Sequence, residues 1–490
     1  MFIGMNYVNG EWCPHRSDFS SINPSTEEEL GLFQITEGRD VDEAVDAARC
    51  AFNNWRDMSR VRRGEYFDKL AQIFKADEKR LAEAISQETG KTLNESKAEV
   101  IESLHMIQYV AGMSRMPYGE MISSEIADKD AYAFRKPKGV IAIVSPWNFP
   151  AAIGGAWNAA PALIEGNTVV WKPSEMTPMC AQIVTEMYHR AGFPPGTFNL
   201  IHGMDKTGEE LVHNQVDCIL FTGSAEVGKL IRQHCASTWH KTCACEMGSK
   251  SAVVVFDDAN MALALDACVA SAFKLSGQRC VSASRLIVDR SRVEEFTDLF
   301  VRRVRNLKIG NPLLEDDIFY GPVISERQMN RVLKYNEMTT DDPDANVFVA
   351  GKRSGDEGYF LTPHVYGAEW NNTKPYLVEE VFGPHVAIIP FDDMDEAIDI
   401  YNDTDYGLAV GLITENFKVA RHCRERMNFG MGYWNGGSVA AESHLPFGGV
   451  GKSGNGYPTA ARCYRAVTHE VAWTVNHEDG LTFCQGMNTR

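Results

Sequence analysis

No run of lysine and arginine breaks the acidic balance of this 490-residue chain, where 66 Asp and Glu face 48 Lys and Arg for a formal net charge of −18. Phosphate backbones are held by clustered positive charge, so nucleic acids and anionic membrane surfaces are poor candidates as partners. Twelve cysteines are too sparse for a disulfide scaffold, and their spacing contains neither a CxxC pair nor a Cys/His ladder of zinc type. A reducing cytoplasm and no metal site are therefore expected. The amino-terminal residues lack a basic segment followed by a long apolar one, so no secretory signal is expected. Charge is absent from Gly139 to Ile164, long enough by count to span a bilayer. Pro146, Pro150 and Pro161 forbid a continuous helix there, and Asn148, Asn158 and Gly154-Gly155 are costly in lipid. Internal repeats and low-complexity linkers are also missing.

What is present reads as an α/β protein of roughly three domains by length. Strand candidates at 139–144, 167–171, 217–221, 242–246, 251–256 and 285–288 alternate with helix candidates at 179–191, 225–236, 261–275 and 292–307. That alternation predicts parallel sheets with helices on both faces. Segments 41–55 and 60–113 read as an amphipathic helical layer with turn residues such as Asp57 at its joints. Residues 120–135 look like a hairpin and 468–476 like an exposed strand. Isolated ribbons seldom stand alone, so these two are expected to pair with each other or with a neighbouring subunit.

Two glycine-rich strings are set aside. Gly449-Val-Gly-Lys-Ser-Gly454 matches G-x-G-x-x-G, but no apolar strand precedes it, so it reads as a turn-rich loop. Gly223 to Lys229 resembles a Walker loop until Leu230 stands where the magnesium-binding Ser or Thr belongs.

Other strings carry chemistry. Strand 217–221 leads through Thr-Gly-Ser into a helix starting near Ala225, which aims free N–H groups and a positive helix end at an anion such as a pyrophosphate. The same letters suit an ordinary strand-turn-helix join with Ser224 as N-cap. Lys172 and Glu175, at the end of another strand, could hydrogen-bond two ribose hydroxyls, with Glu175 repelling a 2′-phosphate and favouring NAD over NADP. The alternative is a plain helix entry. Gly277-Gln-Arg-Cys280 presents a thiol in a loop, and Arg279 beside it would favour the thiolate, although free cysteines are more often inert. Glu246 at a strand end and Asn148 in an uncharged turn complete a nucleophile, a base and an oxyanion donor. A cofactor-free thiol hydrolase would need a histidine paired with Cys280, and no short motif nominates one of the 13.

Eight segments stand in the order found in the aldehyde dehydrogenase superfamily, which the chain resembles over nearly its whole length. They are Asn-Pro-Ser-Thr-Glu-Glu (23–28), Pro-Trp-Asn-Phe-Pro (146–150), Gly-Asn-Thr-Val-Val-Trp-Lys-Pro-Ser-Glu (166–175), Phe-Thr-Gly-Ser-Ala-Glu-Val-Gly (221–228), Glu-Met-Gly (246–248), Gly-Gln-Arg-Cys (277–280), Glu-Glu-Val-Phe-Gly-Pro (379–384) and Pro-Phe-Gly-Gly (446–449). The resemblance implies a Rossmann-like NAD-binding domain (1–118 and 138–246), an α/β catalytic domain (247–462) and a β-ribbon oligomerisation element with tail (119–137 and 463–490). It implies a homo-oligomer, dimer or tetramer, acting on a small-molecule aldehyde.

Carried over by motif, Cys280 resembles the nucleophile, Asn148 with the Cys280 N–H the oxyanion hole, and Glu246 the base that activates water. Lys172 and Glu175 match the adenosine-ribose ligands, Ser224 the pyrophosphate contact, and Glu380 with Phe382 the nicotinamide-ribose grip, while Trp147 and Met247 line the cofactor path. Val144, Ser145, Pro146, Ser174, Gly208, Phe221, Gly223, Val227 and Gly248 complete the implied NAD site, with NADP as the other cofactor. Trp157, Arg279, Ser282, Ala441, Glu442 and Phe447 are the implied substrate residues.

The implied reaction is NAD-dependent oxidation through a Cys280 thiohemiacetal and a thioester that Glu246-activated water hydrolyses. Members that pass the acyl group to coenzyme A generally lack this Glu. The Gly-Gln-Arg-Cys string resembles the subgroup acting on polar or acidic semialdehydes, with Arg279 pairing a substrate carboxylate or else only a local acid. A broad aliphatic aldehyde dehydrogenase and a non-catalytic NAD-binding member are the alternatives. Two departures stand out: Ser249 replaces a common Gly, and Asn158 replaces a common Lys in a segment one residue longer than usual.

Overall fold

In the computed structural model, which describes residues 1–14 and 18–485, two sheets and a ribbon carry the chain. The first sheet has eight strands, in the order Gly454–Asn455, Thr242–Glu246, Cys218–Thr222, Val140–Val144, Thr168–Lys172, Phe198–Leu200, Asn6–Val8 and Glu11–Cys13. Its five central strands run parallel. They are apolar on both faces because both are covered. Val140 and Ala142 pack towards helices Arg39–Asp57 and Ala225–Ala236, while Ile141 and Ile143 pack towards the layer formed by Arg60–Ala76, Glu78–Thr89, Leu93–Met113 and Pro178–Ala191. The parallel strands begin at Val140–Val144, wind outward to Phe198–Leu200 and then return to Cys218–Thr222 on the other side. That reversal opens a crevice at the carboxyl ends of two neighbouring strands, where α/β proteins bind ligands.

The joint expected at Asp57 is made two residues later. Asp57 ends its helix, and Ser59 caps the next by accepting the Arg62 N–H at 3.3 Å.

The uncharged segment after Val140–Val144 is helical in two pitches. Ala152–Asn158 forms a π-helix, followed by an α-helical turn at Ala159–Ile164. A π-turn holds one more residue between bonded groups than an α-turn. Gly154 is required here, since a Cβ would come within 2.3 Å of Trp171 Nε1.

The second sheet has seven strands, in the order Asn346–Val349, His364–Gly367, His385–Phe391, Arg285–Asp289, Ala252–Val255, Ala409–Ile413 and Met431–Trp434. All are parallel except the first, which is antiparallel to its neighbour. Strand Gly454–Asn455 leaves the expected catalytic segment 247–462 and pairs antiparallel with Thr242–Glu246, so the two sheets are laced together beside Glu246.

The ribbon joins Gly119–Ile122, Lys129–Pro137 and Thr468–Asn476, with Thr468 opposite Pro137 and Asn476 opposite Lys129. Of the two pairings the sequence left open, the one within the chain is present. Ribbon residues Met121 and Trp473 stay 66% and 60% exposed.

Candidate active site

A cavity of about 680 Å³ lies in the crevice between the two sheets. Pro146, Trp147, Gly223, Ser224, Met247 and Gly248 form one side, Glu380 and Phe382 the other, and Asn148 and Cys280 both line it. Such a volume suits a small molecule or cofactor. Ser224 is the N-cap of Ala225–Ala236, its hydroxyl accepting the Val227 N–H at 3.3 Å, which leaves the helix's positive end facing the cavity. Trp147 and Phe382 meet edge to face at 5.5 Å and bridge the two walls of the cavity. Phe382 adopts a left-handed φ of 61°, held by Gln328 Nε2 donating to its carbonyl at 2.7 Å. Glu380 Oε1 accepts the Ser249 N–H at 2.8 Å, and burial pushes the Glu380 carboxyl up to about 7. A Cβ at Gly248 would sit 2.1 Å from Glu380 Oε2, so any side chain there would displace the Glu380 carboxyl.

The remaining cofactor candidates lie outside the walls of this cavity. Lys172 Nζ and Glu175 Oε2 pair at 3.4 Å, and Gly208 faces the Lys172 stem. Ser145 Oγ accepts the Trp171 indole N–H at 2.8 Å, and Ser174 Oγ accepts the Met176 N–H at 3.3 Å. Val144 and Phe221 are register partners in the sheet, and Val227 lies exposed on the first turn of its helix.

At the inner end, Asn148 Nδ2 donates to the Gln278 carbonyl at 3.0 Å. An amide nitrogen has two hydrogens, so this bond fixes the side chain and leaves a second donor. Cys280 is partly exposed, but burial and then the charges of Glu246 and Glu380 push its thiol well above the ordinary range. That is the reverse of the expectation from Arg279. The Arg279 side chain turns to Glu95, with Nη2 3.8 Å from Oε1, and lies 5.6 Å from the centroid of the Phe149 ring. Glu246 is fully buried, and neither carboxyl oxygen makes a well-formed hydrogen bond. Burial raises its pKa well above the usual carboxylate range, against a weak opposing influence from the Gly449 N–H.

Among the substrate candidates, Trp157 and Phe447 pack edge to face at 5.5 Å, and Ala441 packs against the same core as Phe149 and Cys280. Ser282 Oγ accepts the Arg279 N–H at 3.3 Å. Glu442 lies on the surface, 3.4 Å from His444.

Both departures acquire a structural role. Ser249 Oγ donates to the Cys280 carbonyl and exchanges a 2.8 Å bond with Ser251 Oγ, so its hydroxyl steadies the Cys280 backbone. Asn158 Nδ2 donates to the Pro458 carbonyl at 2.7 Å. Ser249→Ala is expected to lower kcat about fivefold with little change in cofactor binding, the equivalent of about 1 kcal/mol for one hydrogen bond. Steady-state kinetics with a cofactor titration check this, and unchanged kcat contradicts it.

Sequence reasoning missed several cavity residues: Glu226, Arg327, Gln328, Arg331, Tyr406 and Lys452. Arg331 Nη2 donates to the Glu380 carbonyl at 2.6 Å, so helix Glu326–Asp341 braces the Glu380–Phe382 segment. No motif marked that helix. The discarded glycine string is not the plain loop expected: its Lys452-Ser453 turn joins two short strands, Val450–Gly451 and Gly454–Asn455, and it packs on Glu246, where a Cβ at Gly454 would lie 3.3 Å from Glu246 Oε2.

Among known proteins, the model of the aldehyde dehydrogenase family matches residues 12–471. The chain is 35% identical over 463 residues to the alpha-ketoglutaric semialdehyde dehydrogenase of Bacillus subtilis, covering 92% of this chain and 93% of that one. It is also 35% identical over 460 residues to the betaine aldehyde dehydrogenase of the same organism, again covering 92% and 93%. A crystal structure of betaine aldehyde dehydrogenase from Staphylococcus aureus in complex with NAD+ superposes with a TM-score of 0.92 at 31% identity, covering 97% of this chain and 96% of that one. With matching family and fold, the chain belongs to the aldehyde dehydrogenase family and is an NAD(P)-dependent aldehyde-oxidising enzyme.

Proposed function

We propose that this enzyme oxidises a polar or acidic semialdehyde to its carboxylic acid, with Cys280 as nucleophile, Asn148 as oxyanion donor and Glu246 as the base for hydrolysis. The observation that carries this is the juxtaposition of Cys280 and the oriented Asn148 amide at the inner end of the cavity, with Glu246 close enough for its charge to raise the Cys280 thiol.

The residues fit a dinucleotide. A helix amino end at Ser224 suits a diphosphate, Gly223 and Gly248 allow close backbone approach, and Glu380 offers a carboxylate to a ribose. NAD, when bound, supplies the hydride acceptor. The thiol must first lose a proton, which its burial resists. The Cys280 sulfur then bonds to the aldehyde carbon, and the carbonyl oxygen takes on negative charge that the free Asn148 N–H and the Cys280 N–H stabilise. One such preorganised donor is typically worth about 3 kcal/mol. After oxidation the sulfur holds a thioester. Glu246, its pKa raised by burial well above the usual carboxylate range, takes a proton from water as the water adds to the thioester carbon, and Cys280 leaves as the thiolate.

The cofactor half rests on Lys172 and Glu175. Glu175→Gln removes a charge that opposes a 2′-phosphate, so kcat/KM for NADP relative to NAD should rise on the order of tenfold. An unchanged ratio counts against placing the adenosine ribose there.

For the substrate, the relative named for alpha-ketoglutaric semialdehyde supports an anionic aldehyde. The commitment of Arg279 to Glu95 favours the second reading, a broad aliphatic range in which Arg279 touches no substrate. A panel of acidic semialdehydes, betaine aldehyde and simple aliphatic aldehydes, scored by NADH formation, separates them. Simple aldehydes outperforming every acidic one would remove the semialdehyde reading. The exposed ribbon supports a homo-oligomer, testable by light scattering, and the twelve free thiols support a reducing, cytoplasmic setting.

A further inference from the structure

Helix Leu93–Met113 belongs to the layer over the first sheet, yet two of its carboxylates, one turn apart, each hold one half of the acyl site. Glu95 Oε2 accepts the N–H and hydroxyl of Thr92 at 3.2 and 2.9 Å, closing a capping box at the helix start. A capping box occupies only that oxygen. Oε1 accepts the Leu275 N–H at 2.8 Å and faces Arg279 Nη2 at 3.8 Å. Leu275, Ser276 and Gly277 have φ of 56°, 54° and 71°, a left-handed turn that side-chain-bearing residues disfavour, and it delivers Cys280 three residues later.

Glu99 holds the other half. Its Oε1 accepts the N–H groups of Ala151 and Ala152 at 2.9 and 3.1 Å, just beyond the Asn148 turn. Its second oxygen pairs with the buried Lys91, whose ammonium lies 3.9 Å from the centroid of the Phe149 ring that Arg279 also approaches. The bond from Asn148 Nδ2 to the Gln278 carbonyl, 3.0 Å long, spans the two halves.

We infer that Glu95 and Glu99 are positioning residues that set the oxyanion donor Asn148 against the nucleophile Cys280, with Glu95 holding the strained turn from which the thiol projects. This rests on the reading of Cys280 as nucleophile given above. Neither carboxylate lines the cavity. Their effect passes through the Asn148 and Cys280 turns, so it belongs to the chemical step and not to cofactor affinity.

The test uses the full-length enzyme and two readouts. Glu95→Ala is expected to lower kcat by about 10²-fold, the scale of a 1 Å misplacement, while KM for NAD stays within about twofold. The rate of Cys280 alkylation by iodoacetamide, located by peptide mass, should change at least about fivefold. Glu95→Gln keeps an oxygen for the Leu275 N–H and should restore kcat to within about fivefold of the original. A folded Glu95→Ala enzyme with unchanged kcat and alkylation rate overturns the inference, as does a rise in NAD KM that accounts for the whole loss. Should Glu95→Ala not fold, Glu95→Asp, whose shorter side chain withdraws the carboxylate from the Leu275 N–H, decides: an alkylation rate altered at least about twofold supports the inference, and an unaltered one overturns it. Alkylation needs neither aldehyde nor cofactor. If the unsubstituted enzyme oxidised no aldehyde at all, the proposed reaction would fall while the alkylation rates still decided the role of Glu95.

Discussion

Replacing Cys280 with alanine is expected to reduce NADH formation from any aldehyde by at least about 10⁴-fold, while NAD binding persists. The magnitude follows from removing the covalent route: loss of a nucleophile leaves only the binding and oxyanion contributions of the site. Cofactor affinity should survive because the cavity walls from Ser224 to Phe382 do not depend on the thiol. The substitution also carries a stability signature. Burial and nearby negative charge raise the Cys280 thiol in the folded state, so native enzyme keeps a proton that the unfolded chain releases above about pH 8.5. With more protons bound in the native state, stability falls as pH rises through that value. Cys280→Ala removes this loss, so thermal melts of the two proteins should diverge above about pH 8.5, with the variant the more stable. Residual turnover above a hundredth of the original would refute the nucleophile assignment. A change in NAD affinity would refute the separation of cofactor and acyl ends.

Glu246→Gln should separate the two halves of the reaction. The amide keeps the shape of the buried side chain but cannot take a proton from water, so one equivalent of NADH per site should appear in a burst. Steady turnover should then fall by about 10²- to 10⁴-fold, the usual contribution of a positioned base. Its pH behaviour follows from the raised pKa. Folded enzyme holds the Glu246 proton well above about pH 4.3, where the unfolded chain has lost it, so the native state binds more protons and loses stability as pH climbs through that window. The variant lacks the titration. It should match the original near pH 4 and melt higher at neutral pH, as thermal scans at several pH values would reveal. In the unsubstituted enzyme the same shift places the acid limb of steady-state activity well above the ordinary carboxylate range. A variant that hydrolyses its thioester at the original rate would assign the base elsewhere.

Much of this architecture was legible along the chain. The strand at Thr242–Glu246 and the ribbon strand Thr468–Asn476 stand where alternation and turn residues placed them, and the helix Ala225–Ala236 begins at its Ser224 cap. These are local signals, carried by side-chain periodicity and capping chemistry within a few residues. The cap at Ser59 in place of the Asp57 joint, the π-helix at Ala152–Asn158 and the brace from Arg331 were not legible. Each is settled by packing: which residue the helix start meets, how the helix fits against Trp171, which distant helix lies over Glu380.

The sequence by itself determined the family and the α/β layering and nominated Cys280, Glu246 and Asn148, because motif order and periodicity are properties of neighbouring residues. Only the tertiary structure decided their electrostatics and alignment. Arg279 is adjacent to Cys280 in the chain but turns to Glu95, which lies 184 residues earlier, on helix Leu93–Met113. The thiol is therefore governed by burial and by two carboxylates from separate segments, since charge acts through space and desolvation depends on what the fold packs around a group.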